Sequence, residues 1–261
     1  MKRVLTIAGS DPSGGAGIQA DIKTITAHKM YAMSAITALT AQNTTGVFGV
    51  LDISADFVTK QLDCIFEDIF PDAVKIGMVS NPEIIEAIAD RLTFYSAKNI
   101  VLDPVMVATS GGRLMMDGAA LTLKKRLLPL ADVITPNLPE AMALSGMANL
   151  ATCEDMAEAA RIIGENTGAA ILIKGGHAED GSADDLLFEK ERCEALPGIR
   201  IDTQNTHGTG CTLSSAIACG LAEGKTVLES CRYAKAYVSG ALAAGLDLGR
   251  GSGPLEHCWN M

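Results

Sequence analysis

The chain has 261 residues, 48% of them hydrophobic and only 20% charged, a balance that excludes long disorder and suits one large α/β core. Its 21 Lys and Arg against 31 Asp and Glu give a formal charge of −10, which, with no basic cluster, argues against nucleic acid or an anionic membrane as partner. Cysteines at 64, 153, 193, 211, 219, 231 and 258 are odd in number and include no Cys-x-x-Cys pair, so neither a disulfide framework nor a zinc site is expected.

The opening apolar run is too short for a signal peptide and no run reaches membrane-spanning length, so the cytoplasm is the expected compartment. Val4 to Ala8 reads as a buried strand, closed by the turn Gly9 to Gly17. A helix follows to about His28, with Ile18, Ile22 and Ile25 on one face. Further strands are predicted near 32–40, 47–52, 73–76, 99–102, 132–135 and 169–173, and helices near 54–69, 82–96, 117–128, 139–146 and 154–166. Short apolar strands joined by helix-long connections are what a parallel sheet requires. Asp184 to Phe188 and Arg192 to Leu196 look like an antiparallel hairpin on one edge, and helices at about 209–222 and 226–244 close the chain.

No linker or repeat interrupts this pattern, so a single domain over 1–261 is expected. Its fold class is α/β, a doubly wound, mostly parallel sheet with helices on both faces. Ligands of such sheets bind beyond the carboxyl ends of the strands, near a switch point. There the polar turns converge: Gly9–Gly17, Gln42-Asn43-Thr44, Gly77-Met78, Asp103-Pro104, Pro136-Asn137 and Lys174-Gly175-Gly176.

Asn205-Thr206-His207-Gly208-Thr209-Gly210-Cys211 leads into an Ala- and Leu-rich helix. A glycine-bearing turn feeding a helix N-terminus is an anion site, and Cys211 in the first turn is expected to have a lowered pKa. Taken alone, the stretch reads more readily as a tight turn with a helix cap followed by a small buried hydrophobe. Only a matching architecture and substrate pocket elsewhere in the chain tip the balance toward the anion site. Of two nucleotide motifs, one fails and one is weak. Gly224-Lys225-Thr226 ends like a P-loop but has Cys219 at the first glycine position. Gly15-Ala16-Gly17-Ile18-Gln19-Ala20 fits a dinucleotide pattern, yet the second strand ends in Thr40-Ala41-Gln42 without a ribose-binding acid, which weakens an oxidoreductase reading.

Asp21 reads either as a helix-start acid or as the acceptor of a substrate hydroxyl or amine. Gln42 reads either as a loop-capping amide or as the partner of an aminopyrimidine edge. Asp103 and Glu140 each place a carboxylate just past a strand, enough for a Mg²⁺ that keeps its waters and phosphate ligands, or else a turn starter and a helix cap. Lys174 would bring one cation to a phosphate.

Together Ala8 to Asp21, Thr37 to Thr44, Lys75-Ile76-Gly77-Met78, Leu102 to Val107, Ile134 to Glu140, Lys174-Gly175-Gly176-His177 and Asn205 to Cys211 resemble the bacterial hydroxymethylpyrimidine/phosphomethylpyrimidine kinases of thiamine biosynthesis, a branch of the ribokinase-like superfamily. The resemblance implies ATP- and Mg²⁺-dependent phosphorylation of 4-amino-5-hydroxymethyl-2-methylpyrimidine and then of its monophosphate, by a homodimer. It implies a pyrimidine pocket of Gly9, Asp21, Gln42, Met78 and Val105. Gly208, Thr209 and Gly210 form the anion hole with Cys211 as base. Lys174, Asn137 and Thr209 face ATP, and Asp103 and Glu140 serve the metal. The superfamily usually has Asp where Cys211 stands, whereas pyrimidine kinases and some vitamin-B6 kinases have Cys. Gln42 favours pyrimidine, with pyridoxal or pyridoxine the alternative acceptor on the same scaffold. An intact anion hole with a base argues against a non-catalytic binding protein.

Overall fold

A computed structural model of the chain describes residues 1–106, 116, 118–175 and 184–261. Val107, Gly176 and His177 of the motifs above lie outside the described residues, as does residue 117 of the expected helix 117–128.

The described residues form a nine-stranded sheet in the order β3-β2-β1-β4-β5-β6-β7-β8-β9. The strands are β1 (Arg3–Ser10), β2 (Tyr31–Asn43), β3 (Gly46–Asp52), β4 (Ala73–Ile76), β5 (Ile100–Leu102), β6 (Val133–Ile134), β7 (Ala170–Ile173), β8 (Asp185–Glu189) and β9 (Arg192–Leu196). Adjacent pairs from β2 across to β7 are parallel. Strand alternation divides the side chains between two cores. Leu5, Ile7, Val74, Ile76, Ile100, Leu102, Ile171 and Ile173 bury against α2 (Ala55–Asp68), α3 (Pro82–Phe94) and α6 (Cys153–Thr167). Val4, Ala73, Val101, Val133 and Leu172 bury against α1 (Gly17–Ala27), α7 (Thr209–Ala222) and α8 (Val227–Ala243).

Two expectations are corrected. Strands 32–40 and 47–52 are not successive parallel members. They form an antiparallel hairpin turned at Thr44-Thr45, so both sheet edges are antiparallel, β3 on one side and β8–β9 on the other. The segment read as helix 117–128 is a short α4 (Ala119–Thr122), then a π-helical turn over Leu123–Leu127 and a 3-10 turn over Leu128–Leu130. Pro129 cannot supply the N–H that an α-helix needs. A further helix, α5 (Leu138–Ser145), begins in a capping box made by Asn137 and Glu140.

Because β2 lies on one side of β1 and β4 on the other, the chain reverses direction of travel between β1 and β4. The carboxyl ends of these strands open a crevice there. Helix α7 packs across β1, β4 and β5 with its first turn at that crevice.

Candidate active site

Two loops meet at the crevice. Gly17 has φ +56° and a side chain on it would strike the Gly9 carbonyl, while Gly208, at φ +88°, is pressed against the Gly15 carbonyl. Both positions require glycine, for backbone conformation and for space. Asp11 fastens the first loop, accepting from Ser13 N at 2.9 Å, Ser13 Oγ at 2.7 Å and Ala16 N at 2.8 Å. It also pairs with His207 Nε2 at 2.8 Å, which ties that loop to the residue before Gly208. Burial pushes the Asp11 carboxyl up, but the bonds from His207, Ser13 and Ala16 outweigh it and hold the group at about 2. Gln42, half-buried at the end of β2, brings its amide nitrogen 3.3 Å from His207 Nε2.

The first turn of α7 leaves donors open. Among the described residues the N–H groups of Gly208, Gly210 and Cys211 make no hydrogen bond, whereas that of Thr209 turns back on Thr206 O at 3.3 Å. The Thr209 hydroxyl is also spent on Thr206 O, at 2.7 Å. Of the three expected anion-hole members, then, Thr209 shapes the turn, and the Cys211 amide takes its place among the open donors.

Facing that turn, Lys174 Nζ lies 2.8 Å from Asp103 Oδ1, to which Thr135 Oγ1 donates at 3.1 Å. A Cβ on Gly210 would stand 3.2 Å from Asp103 Oδ2 and 3.4 Å from Lys174 Nζ, so these three residues share one corner. Burial alone would lower the Lys174 pKa, but Asp103 and then Glu140 hold it above the ordinary lysine value. Glu140 is buried and accepts from Asn137 N at 2.8 Å and Met106 N at 3.4 Å. Burial raises its pKa against the pull of Lys174. Asn137 caps α5 through its side-chain oxygen, 2.9 Å from Glu140 N. Among the described residues no group of three His, Cys, Asp or Glu side chains is gathered for a metal.

Gly9 and Met78 adjoin, a Cβ on Gly9 standing 3.3 Å from Met78 Sδ. Val105 is half-buried two residues beyond Asp103, its N–H on Asp103 O at 2.8 Å. Asp21 is placed otherwise than expected. Its side chain is fully buried beneath the crevice, with Lys75 Nζ at 2.9 and 2.8 Å, Thr6 Oγ1 at 2.5 Å and Ser215 Oγ at 2.8 Å. With no exposed surface and three donors already making four hydrogen bonds to its oxygens, it supports the site from below and cannot meet a substrate hydroxyl.

The Cys211 pKa is also corrected. Burial pushes the thiol up to about 11, with Asp21 and Asp103 adding to it, although Lys75 and the Gly17 N–H pull the other way. The helix terminus acts as expected, but desolvation wins.

Sequence reasoning gave no role to three supports: Lys75, Asp11 with His207, and the closing segment. His257 Nε2 lies 3.1 Å from Thr212 Oγ1, and that hydroxyl is 2.9 Å from Gly208 O. Tyr237 OH in turn bonds to His257 O. The lysine amid an apolar strand was the available signal for the first.

A family model described as phosphomethylpyrimidine kinase matches residues 11–256. The chain belongs to the phosphomethylpyrimidine kinase family. As a member it is a phosphotransferase with a ribokinase-like fold. It is 51% identical to the hydroxymethylpyrimidine/phosphomethylpyrimidine kinase of Rhizobium meliloti (strain 1021), over 97% of this chain and 96% of that one. A crystal structure of phosphomethylpyrimidine kinase from Clostridium difficile 630 superposes with a TM-score of 0.82 at 45% identity, covering 92% of this chain and 98% of that one. The pyridoxal kinase of Staphylococcus aureus, in complex with AMP-PCP and pyridoxal, superposes with a TM-score of 0.91 at 37% identity, covering 100% of this chain and 94% of that one. The kinase family and the ATP analogue in that neighbour support ATP as phosphoryl donor.

Proposed function

We infer that this kinase transfers the γ-phosphoryl group of ATP to the hydroxymethyl oxygen of 4-amino-5-hydroxymethyl-2-methylpyrimidine and then phosphorylates the monophosphate, as in thiamine biosynthesis. The observation that carries this reading is the open amides of Gly210 and Cys211 at the corner shared by Lys174 and Asp103, with Gln42 on the same rim. In the first step the Cys211 thiolate takes the acceptor's hydroxyl proton. The freed oxygen forms a bond to the γ-phosphorus, and the bond from that phosphorus to the bridging oxygen breaks, its electron pair leaving with ADP. The thiol then returns its proton to solvent. The open amides and Lys174 stabilise the charge on the migrating group, which is most of the catalysis such a transfer needs. In the second step the attacking phosphate is already an anion, so Cys211 matters less.

The buried carboxylates of Asp103, paired with Lys174, and Glu140, which also acts on the Lys174 charge, suit a Mg²⁺ that takes few protein ligands and most of its shell from nucleotide phosphates and water. Such an ion supplies charge neutralisation across the phosphates. Lys174 and Asn137 line the nucleotide side, and Gly9, Met78, Val105 and Gln42 the pyrimidine side.

Pyridoxal is the second acceptor to consider, because the chain is 37% identical to a pyridoxal kinase over its whole length. We also place a second copy of the chain on the β3 edge, where Phe48 is 71% and Leu51 65% exposed beside Val50 and Leu39. Sedimentation of wild type and Phe48→Glu/Leu51→Glu tests this, the variant being expected as monomer. Cytoplasmic residence fits the unpaired cysteines. The deciding experiment is ADP release with ATP and Mg²⁺ in the presence of hydroxymethylpyrimidine, its monophosphate or pyridoxal. Turnover of both pyrimidines is expected, and turnover of pyridoxal alone would replace this reading with the B6 one.

A further inference from the structure

Among the described residues Lys75 is the largest side chain that is completely buried, and it sits in the short apolar strand β4. Strand alternation turns it, like Ala73, toward the α1 and α7 side of the sheet. Gly77 makes room for it, since a Cβ there would stand 2.7 Å from Lys75 Nζ and 3.1 Å from Ala8 Cβ. A buried ammonium costs several kcal/mol unless paired, and strands of doubly wound sheets need no lysine for packing. Its partner Asp21 takes Lys75 at 2.9 Å and Ser215 Oγ at 2.8 Å on one oxygen, Oδ1. Ser215 is four residues beyond Cys211 in α7, so the two share a face and the thiol lies about one turn from the pair. Four charged side chains act on the Cys211 sulfur: Lys75, Asp21 and Asp103, and Lys174 beside Asp103.

We propose that Lys75 is a positioning residue for the first phosphorylation, the fixed counter-charge that lets Cys211 exist as a thiolate above a buried ion pair. Asp21 holds the ammonium in place and partly cancels it, and the remaining positive field favours the sulfur anion. Among the charges acting on the thiol, that of Lys75 outweighs that of Asp21. The inference rests on Cys211 being the base. The two fail separately, because thiol reactivity reads the sulfur whether or not it serves as base.

The test is the rate of iodoacetamide alkylation at pH 8 of the Cys211 peptide in the full-length protein, followed by mass spectrometry, with the exposed Cys64 as internal control. Lys75→Met leaves Asp21 uncompensated and is expected to slow Cys211 alkylation about tenfold or more, with Cys64 unchanged. Lys75→Met/Asp21→Asn is charge-balanced, keeps partners for Thr6 and Ser215, and is expected to react faster than the single variant but still several-fold slower than wild type. The ratio of first to second phosphorylation should fall in the same order. If Lys75→Met does not fold, the double variant decides alone. Alkylation as fast as wild type at an unchanged melting temperature would overturn the proposal, as would equal losses in both phosphorylation steps with unaltered Cys211 reactivity, which would leave Lys75 a purely structural residue.

Discussion

Asp11 Oδ2 and His207 Nε2 lie 2.8 Å apart, both buried, joining the loop after β1 to the turn that opens α7. Removing the carboxylate orphans the N–H groups of Ser13 and Ala16 and the imidazole together. Asp11→Ala is therefore expected to cost about 2–4 kcal/mol and to lower affinity for both substrates, since the glycine loop and the anion hole lose their common brace. The same pair predicts acid sensitivity. A carboxyl held at about 2 when folded stabilises the protein above its unfolded value near 3.8, and the contribution fades as pH falls from about 4 through 2. Melting temperatures between pH 2 and 6 should show wild type losing stability over that window and Asp11→Asn losing less.

Much of this was readable in the sequence. Strand alternation, helix-long crossovers and polar turns at one rim give the sheet and the place of the site, and Asn137 with Glu140 announces a helix start. Other features were not readable, for stated reasons. The β2–β3 turn, Thr44-Thr45, lacks the Gly or Asn that marks hairpins, so the antiparallel edge stayed hidden. Spacing puts Asp21 on a helix just after the glycine loop but does not tell which face meets the sheet, and that face decides whether it sees substrate or Lys75. The dipole at Cys211 is local and legible, but the burial that overrides it comes from packing of distant segments.

Cys211→Ala is expected to slow the first phosphorylation by about 10²–10⁴ while slowing the second far less. With the thiol pushed up to about 11, the thiolate fraction is small at neutral pH and grows about tenfold per pH unit. The first rate in wild type should therefore climb from pH 7 toward pH 10, and the climb should vanish in the variant. Both are read from initial rates with each acceptor in the same preparation. Equal losses in the two steps would assign Cys211 a structural part only.

At Gly210, stability and activity should move in opposite directions. Alanine is the better helix former by up to about 1 kcal/mol, so Gly210→Ala should melt no lower than wild type. Its methyl would stand 3.2 Å from Asp103 Oδ2 and 3.4 Å from Lys174 Nζ, crowding the corner beside the open amides. A kcat loss of about tenfold or more with an undiminished melting temperature is the expected pair of results.

Gln42→Met removes an amide that offers both a donor and an acceptor to an aminopyrimidine edge. Losing that pairing should weaken hydroxymethylpyrimidine by about 1–3 kcal/mol, or roughly ten- to a hundredfold, and pyridoxal by much less. Competition between the two acceptors measures it directly. An unchanged preference would remove Gln42 from selectivity and leave it as the neighbour of His207.

The floor of the α7–α8 core should make the protein alkali-labile. Cys219 and Cys231 are fully buried, and burial first, then nearby carboxylates, pushes each thiol up to about 12. Unfolded, these thiols ionise near 9, so above that pH the unfolded state loses protons that the folded state retains. Stability must then fall as pH rises, the reverse of the Asp11 case. At pH 10 the loss amounts to about 1 kcal/mol for each thiol, enough to lower the melting temperature by several degrees when both act. Thermal melts of wild type and of Cys219→Ala/Cys231→Ala between pH 7 and 10.5 separate this from general alkaline damage. The double variant starts lower because two side chains are lost from the core, but its decline with pH should be shallower. Parallel declines would show that these two thiols are not what makes the fold weaken in alkali.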